Sequence, residues 1–191
     1  SHYQLTLEPN TLFHARPPAG LPDDDTSFAM QQACQTRLAE AGYRHYEVSA
    51  YARPGREARH NLNYWTFGDY LGIGPGAHGK LSSHEGIVRE MRHKHPARYL
   101  EAAARGDFVQ ERREVAVAEL PFEFMMNALR LSAGFAPALF LARTGLPLEV
   151  IATELAEART RGLLATADGL IRPTLQGRRF LNELLQTFLR D

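Results

Sequence analysis

The stretch RHNLNYWTFGDYLGIGPGAHG, Arg59 to Gly79, gathers more chemically capable side chains than any other part of the chain. It holds the only Trp, two of the eight His and, in its last eight residues, four Gly. His60 offers an imidazole nitrogen, a good axial ligand for haem iron. Tyr64 and Trp65 can lie flat against a planar macrocycle, and Asn61 can orient the imidazole from behind. The same residue types also build ordinary hydrogen-bonded structural clusters, and on chemistry alone that plainer reading is the more common one. Gly74-Pro75-Gly76-Ala77-His78-Gly79 has the spacing of a dinucleotide fingerprint. The residues after it, KLSSHEG, lack a helical pattern, and Pro75 is awkward in a phosphate turn, which excludes that reading. What remains is either a loop whose backbone approaches a ligand closely or a tight turn.

Other candidates are weaker. His93, Lys94 and His95 look like a metal clip, but His95 directly precedes Pro96 and reads better as a helix cap. No H-x-x-x-H or H-E-x-x-H spacing occurs, so a zinc hydrolase is not expected. Glu8 and Glu47 fall at or near the ends of two expected strands, where a barrel would place them at its mouth. Arg159, Arg161, Arg172, Arg178 and Arg179 cluster near an expected hairpin; a solvated face explains them better than a nucleic-acid footprint.

The elements that must position these groups follow from periodicity. Tyr3, Leu5 and Leu7 alternate with polar residues, and so do Tyr46, Val48 and Ala50; each pattern predicts a strand. Between them, Pro22 and the acids Asp23, Asp24 and Asp25 open a helix that Gly42 closes. Strand, helix, strand is a βαβ unit. Residues 53–92 show little regular periodicity and read as long irregular structure. Pro96 to Gly106 is a short helix. From Glu114 onward the texture is helical, with an apolar stripe at Phe122, Met125, Met126 and Leu129, a short helix after Pro137, and another from Pro147 to Arg161. Asp168-Gly169 marks a hairpin, and a last helix starts near Thr174. Helices followed by a hairpin beside a helix suggest a winged-helix-like plan.

Composition sets the bounds. The 191 residues carry 22 basic and 22 acidic side chains and a formal net charge of zero, so nucleic acid is not an expected partner. No apolar run approaches membrane-spanning length. SHYQLTLEPN reads as a strand from its first residues rather than a signal peptide, which suggests a piece of something longer. Cys34, the single cysteine, excludes an internal disulfide and any cluster ligated by this chain's thiolates alone, and the expected location is the cytoplasm.

YQLTLEPNT at 3–11, AGYRHYEVSAYARPG at 41–55, RHNLNYW at 59–65, GDYLGIGPGAHG at 68–79, KHPARYL at 94–100 and PFEFMMNALRL at 121–131 follow one another in an order that resembles the oxygen-independent coproporphyrinogen III oxidase-like radical SAM proteins. The intact H-N-x-x-Y-W string resembles their haem-chaperone branch, HemW, more than the oxidase. The resemblance implies an α/β fold, α+β as a fragment: the last two strands of a partial (β/α)6 barrel, then a helical, winged-helix-like domain. It divides the chain into 1–92 (barrel part, haem motif and glycine loop), 93–113 (connecting helix and linker) and 114–191 (HemN-type C-terminal domain). It implies His60 as haem ligand, with Asn61, Tyr64 and Trp65 as its neighbours. It places Thr6, Gly74, Gly76 and His78 at a cofactor mouth. The whole protein would use S-adenosylmethionine and a 4Fe-4S cluster and would pass haem to accepting proteins, with peripheral membrane contact. The C-x-x-x-C-x-x-C ligands of that cluster are absent here. This chain alone would carry no catalysis, and its exposed strand edges would favour self-association. The alternative that the resemblance implies is an oxidase decarboxylating coproporphyrinogen III by radical chemistry.

Overall fold

A computed structural model describes residue 1 and residues 3–189, which divide into two compact units, Ser1–Ala58 and Arg59–Asp191. In the first unit, helix α1 spans Leu12–Ala15 and helix α2 spans Asp24–Glu40. Asp23 caps α2, its carboxylate accepting from the Thr26 amide at 2.8 Å, with Asp24 and Asp25 in the first turn. The acidic start read from sequence is therefore a true helix start. Strands β1 (Arg44–Glu47) and β2 (Ala50–Ala52) then pair antiparallel, with a register shift between His45 and Glu47.

Two expectations fail here. Residues 3–9 form no strand. Their alternation finds no partner among the described residues, and a strand without a partner leaves its backbone groups unpaired. The second expected strand, 46–52, turns back on itself at Val48 and Ser49 into the β1–β2 hairpin. No parallel pair, and so no βαβ unit, is present among the described residues.

In the second unit, helix α3 covers Arg59–Trp65. Strands β3 (His78–Ser82), β4 (Ile87–Arg92) and β5 (Val109–Glu114) form a three-stranded antiparallel sheet in that order, with helix α4 (Pro96–Ala103) between β4 and β5. Residues 53–92 are thus not irregular, and the expected boundary at 92/93 cuts through this sheet. Helices α5 (Leu120–Ala128) and α6 (Pro137–Thr144) follow, then a 3-10 turn at Leu148–Ile151 running into α7 (Ala152–Thr160). Strands β6 (Leu164–Ala167) and β7 (Leu170–Pro173) make the hairpin marked by Asp168-Gly169, with both turn residues at positive φ. Thr174 caps α8 (Leu175–Arg179), and α9 (Leu181–Gln186) ends the chain's regular structure.

One apolar core joins these elements. Phe124 of α5 is fully buried and meets Phe67, Phe135 and Phe140 edge-on, at centroid separations of 5.9, 5.0 and 5.1 Å. Gly177 lies so close to the Leu163 carbonyl that a Cβ there would sit 2.0 Å from its oxygen, which locks α8 to the loop before the hairpin. No described helix is long and apolar enough to cross a membrane. Removing the hub ring in Phe124→Ala should cost about 3–5 kcal/mol of unfolding free energy, read as a lower denaturant midpoint at unchanged slope. A midpoint within experimental error of the parent would contradict this core.

Candidate functional site

Helix α3 carries the whole H-N-x-x-Y-W string. His60 and Tyr64 are four residues apart and share a face. Their rings meet edge-on with centroids 4.6 Å apart, and Tyr64 in turn meets Tyr70 edge-on at 4.4 Å. Tyr64 is therefore clamped between the imidazole and a second ring. His60 is exposed, and its imidazole makes no hydrogen bond with a described residue. Both ring nitrogens remain open to a ligand. Trp65 lies at a tilted 6.4 Å from Tyr64 and is covered by the Arg130 guanidinium, 4.3 Å from its ring centroid.

What holds α3 in place is Lys80 on β3. Its side chain is buried, and its ammonium donates to the Phe67 carbonyl at 3.0 Å, to Asp69 Oδ1 at 2.9 Å and to Ser82 Oγ at 3.1 Å. It also lies 4.1 Å over the Phe67 ring. Asp69 further accepts from the Ser82 hydroxyl at 2.7 Å and the Ser82 amide at 3.1 Å. Burial pushes the Lys80 ammonium below its ordinary range, and the hydrogen bond and charge of Asp69 offset this only in part. At Asp69 burial pushes the other way, but hydrogen bonds from Lys80 and Ser82 and the charge of Lys80 outweigh it and hold the carboxyl below its ordinary value. The turn between α3 and Asp69 needs Gly68, where a Cβ would fall 2.1 Å from Asn63 Oδ1.

The glycine loop packs against the end of β4. Gly74 and Gly76 take positive φ of 103° and 69°. The Gly74 amide donates to the Tyr99 hydroxyl at 3.2 Å and the Gly76 amide to the His93 carbonyl at 2.9 Å. Arg92 Nε donates to the Gly72 carbonyl at 3.0 Å. These amides are spent within the fold, so the loop is a braced turn rather than an open cradle. His78 starts β3 opposite Met91, with its residue surface exposed. Thr6 lies in the other unit, exposed and outside any helix or strand. The structure thus brings His60, Tyr64 and Trp65 onto one short helix. It places Gly74, Gly76 and His78 in the same unit. Sequence reasoning missed Lys80, Asp69, Tyr70 and Arg130, which carry no motif spacing of their own. Among the described residues no group of three or more His, Cys, Asp or Glu is placed to hold a metal ion.

Residues 115–180 match the HemN C-terminal domain family. The full chain is 45% identical over 192 aligned positions to the haem chaperone HemW of Escherichia coli K12, of which it covers 50%. It is 43% identical to HemW of Haemophilus influenzae, covering all of this chain and 49% of that one. It therefore spans about half the length of the curated relatives it matches. Among solved structures it resembles the radical SAM coproporphyrinogen III oxidase HemN of Escherichia coli, with a TM-score of 0.63 over 88% of this chain and 42% of that one, at 16% identity. That likeness supports a shared mixed α and β fold.

The depressed Asp69 carboxyl makes acid stability a test of the Lys80 centre. Its folded pKa lies below its unfolded value, so its contribution is present above about pH 4 and is lost as pH falls through the folded value. Asp69→Asn should lower stability at pH 7 by about 1–2 kcal/mol, discounted for a carboxylate in partial contact with solvent, and should flatten the acid limb. An unchanged acid limb in the variant would show that other carboxylates set it.

Proposed function

We propose that the chain is part of a radical SAM protein related to coproporphyrinogen III oxidase and carries the haem-holding part of a haem chaperone. The observation that carries this reading is the exposed His60 imidazole, free of hydrogen bonds to described residues and braced edge-on by Tyr64. A side chain buried as structural glue would have both nitrogens engaged. This one presents them to solvent while a clamped ring limits how the imidazole can turn, which is what an axial ligand needs. Haem is the cargo. His60 ligates its iron, Tyr64 sets the plane of the imidazole, and Trp65 supplies an aromatic wall. Asn61 belongs to the same site as a motif neighbour of His60.

The cluster chemistry of the family does not fit this chain's residues. Cys34 is its one thiol, and a 4Fe-4S cluster needs several. S-adenosylmethionine and the cluster therefore belong to the remainder of the longer protein, as does any radical step. Gly74, Gly76 and His78 would line the mouth through which that half meets the haem site, and Thr6, in the first unit, is a cofactor-mouth residue by the family resemblance alone. The finer architecture we infer is the close of a partial (β/α)6 barrel followed by a winged-helix-like domain, in which β6–β7 is the wing. Haem-accepting proteins are the partners this reading calls for.

Titration with haem, followed by the Soret band, tests the reading in this chain and in the full-length protein. The parent should show a shifted, saturable band, and His60→Ala should weaken binding at least tenfold. Equal affinity in the two proteins would remove His60 as the ligand. A saturable band should also be accompanied by quenching of the single tryptophan, since Trp65 is the only source of that emission.

A further inference from the structure

Arg130 is an anomaly in the second unit. It follows α5 between Leu129 and Leu131, both buried, so its backbone is fixed. Its guanidinium lies over the Trp65 ring at 4.3 Å, yet it makes no ion pair or side-chain hydrogen bond with any described residue. Its Nε is buried without a partner, and so is Nε1 of Trp65 beneath it. Both atoms are donors only, and leaving a buried donor unpaired is costly. Arg89 and Arg92 of the same unit are paired, with Glu123 and Glu90, whereas Arg178 shares with Arg130 a buried Nε that has no partner but has no indole beside it. Two orphaned donors beside a cation and an aromatic face call for an acceptor that is negative and attached to a flat apolar body.

We propose that Arg130 and Trp65 form a carboxylate subsite that anchors a propionate of the porphyrin held by His60; this rests on the haem reading above. Trp65 stands five positions after His60 in α3, about 7.5 Å along the helix axis and about 140° around it. The span from a haem iron to its propionate carboxylates is of that order. Arg130 offers a planar fork of donors that matches a carboxylate two-to-two. In this arrangement His60 decides that the ligand carries a metal, and Arg130 decides that it carries free acids.

Comparison of haem with haem dimethyl ester tests this directly, because esterification removes the carboxylate charge and leaves the macrocycle. The unsubstituted protein should bind haem at least tenfold more tightly than the diester by Soret titration, and Arg130→Gln should abolish that preference while keeping a His60-dependent band. Arg130→Lys, which retains charge but not the fork, should keep part of it. The haem-to-diester comparison in the parent needs no variant, so a misfolded Arg130→Gln leaves the test intact. Equal affinity for the two porphyrins, with binding still dependent on His60, would overturn the Arg130 subsite alone. Binding of neither porphyrin to the parent would overturn both the subsite and the haem reading.

Discussion

A buried ammonium organises the second unit. Lys80 is almost fully enclosed, and a charge there is tolerable only if every donor is met. Its three acceptors are the Phe67 carbonyl in the turn after α3, the Asp69 carboxylate two residues on, and a hydroxyl two residues further along β3. Satisfying one cation therefore fixes the distance between α3 and the sheet. The bridge between Tyr70 and Lys80, bonded in both directions at 2.9 and 3.0 Å, adds the backbone to that tie. Tyr70 then meets Tyr64, and Tyr64 meets His60. The orientation of the exposed imidazole is inherited step by step from a lysine that never touches it.

The same centre ties helix α3 to the C-terminal helices. Phe67 receives the Lys80 ammonium on its face and packs its ring against Phe124, the hub of the apolar core. Arg89 of β4 bonds both the Tyr70 hydroxyl and Glu123 of α5, and Arg113 of β5 reaches Glu119 and Glu123. Motif helix, sheet and helical region thus share a core and a polar network. A division of the chain into a barrel part, a linker and a C-terminal domain does not describe how this unit coheres. Val109–Glu114, most of it in the expected linker, is an edge strand whose charged side chains face solvent, with Arg112 paired to Glu90 of β4 and Arg113 to Glu119 and Glu123 at and within the start of α5.

Legibility followed how local the causes were. The helices from Pro96 onward announced themselves through prolines at their starts, glycines at their ends and apolar residues at helical spacing. Thr174 and Asp168-Gly169 were read correctly because caps and tight turns are decided within four residues. The sheet β3–β4–β5 was invisible because the buried middle of β3 is held by Lys80 rather than an apolar side chain, and β5 is mostly charged. The alternation at 3–9 and 46–52 misled for the opposite reason. It reports what a strand would bury, not whether a neighbouring strand is there to bond it. The H-N-x-x-Y-W string stood out as a candidate site through its residue types, while the helix that presents it, at seven residues, was too short for periodicity to reveal.

Arg130 shows why spacing could not complete the site. Nothing in its own neighbourhood distinguishes it from an ordinary solvated arginine at a helix end. Its meaning arises only when folding lays it over Trp65, far away along the chain, with no carboxylate in attendance. Internal stability alone would favour an acid beside it, as Glu123 stands beside Arg89. A fold that leaves the Arg130 Nε, together with the indole nitrogen under it, without an acceptor keeps a local cost of about 1–3 kcal/mol per buried group. That cost is recovered when an external acceptor enters, so the same feature that weakens the empty site sharpens its preference for an acidic ligand.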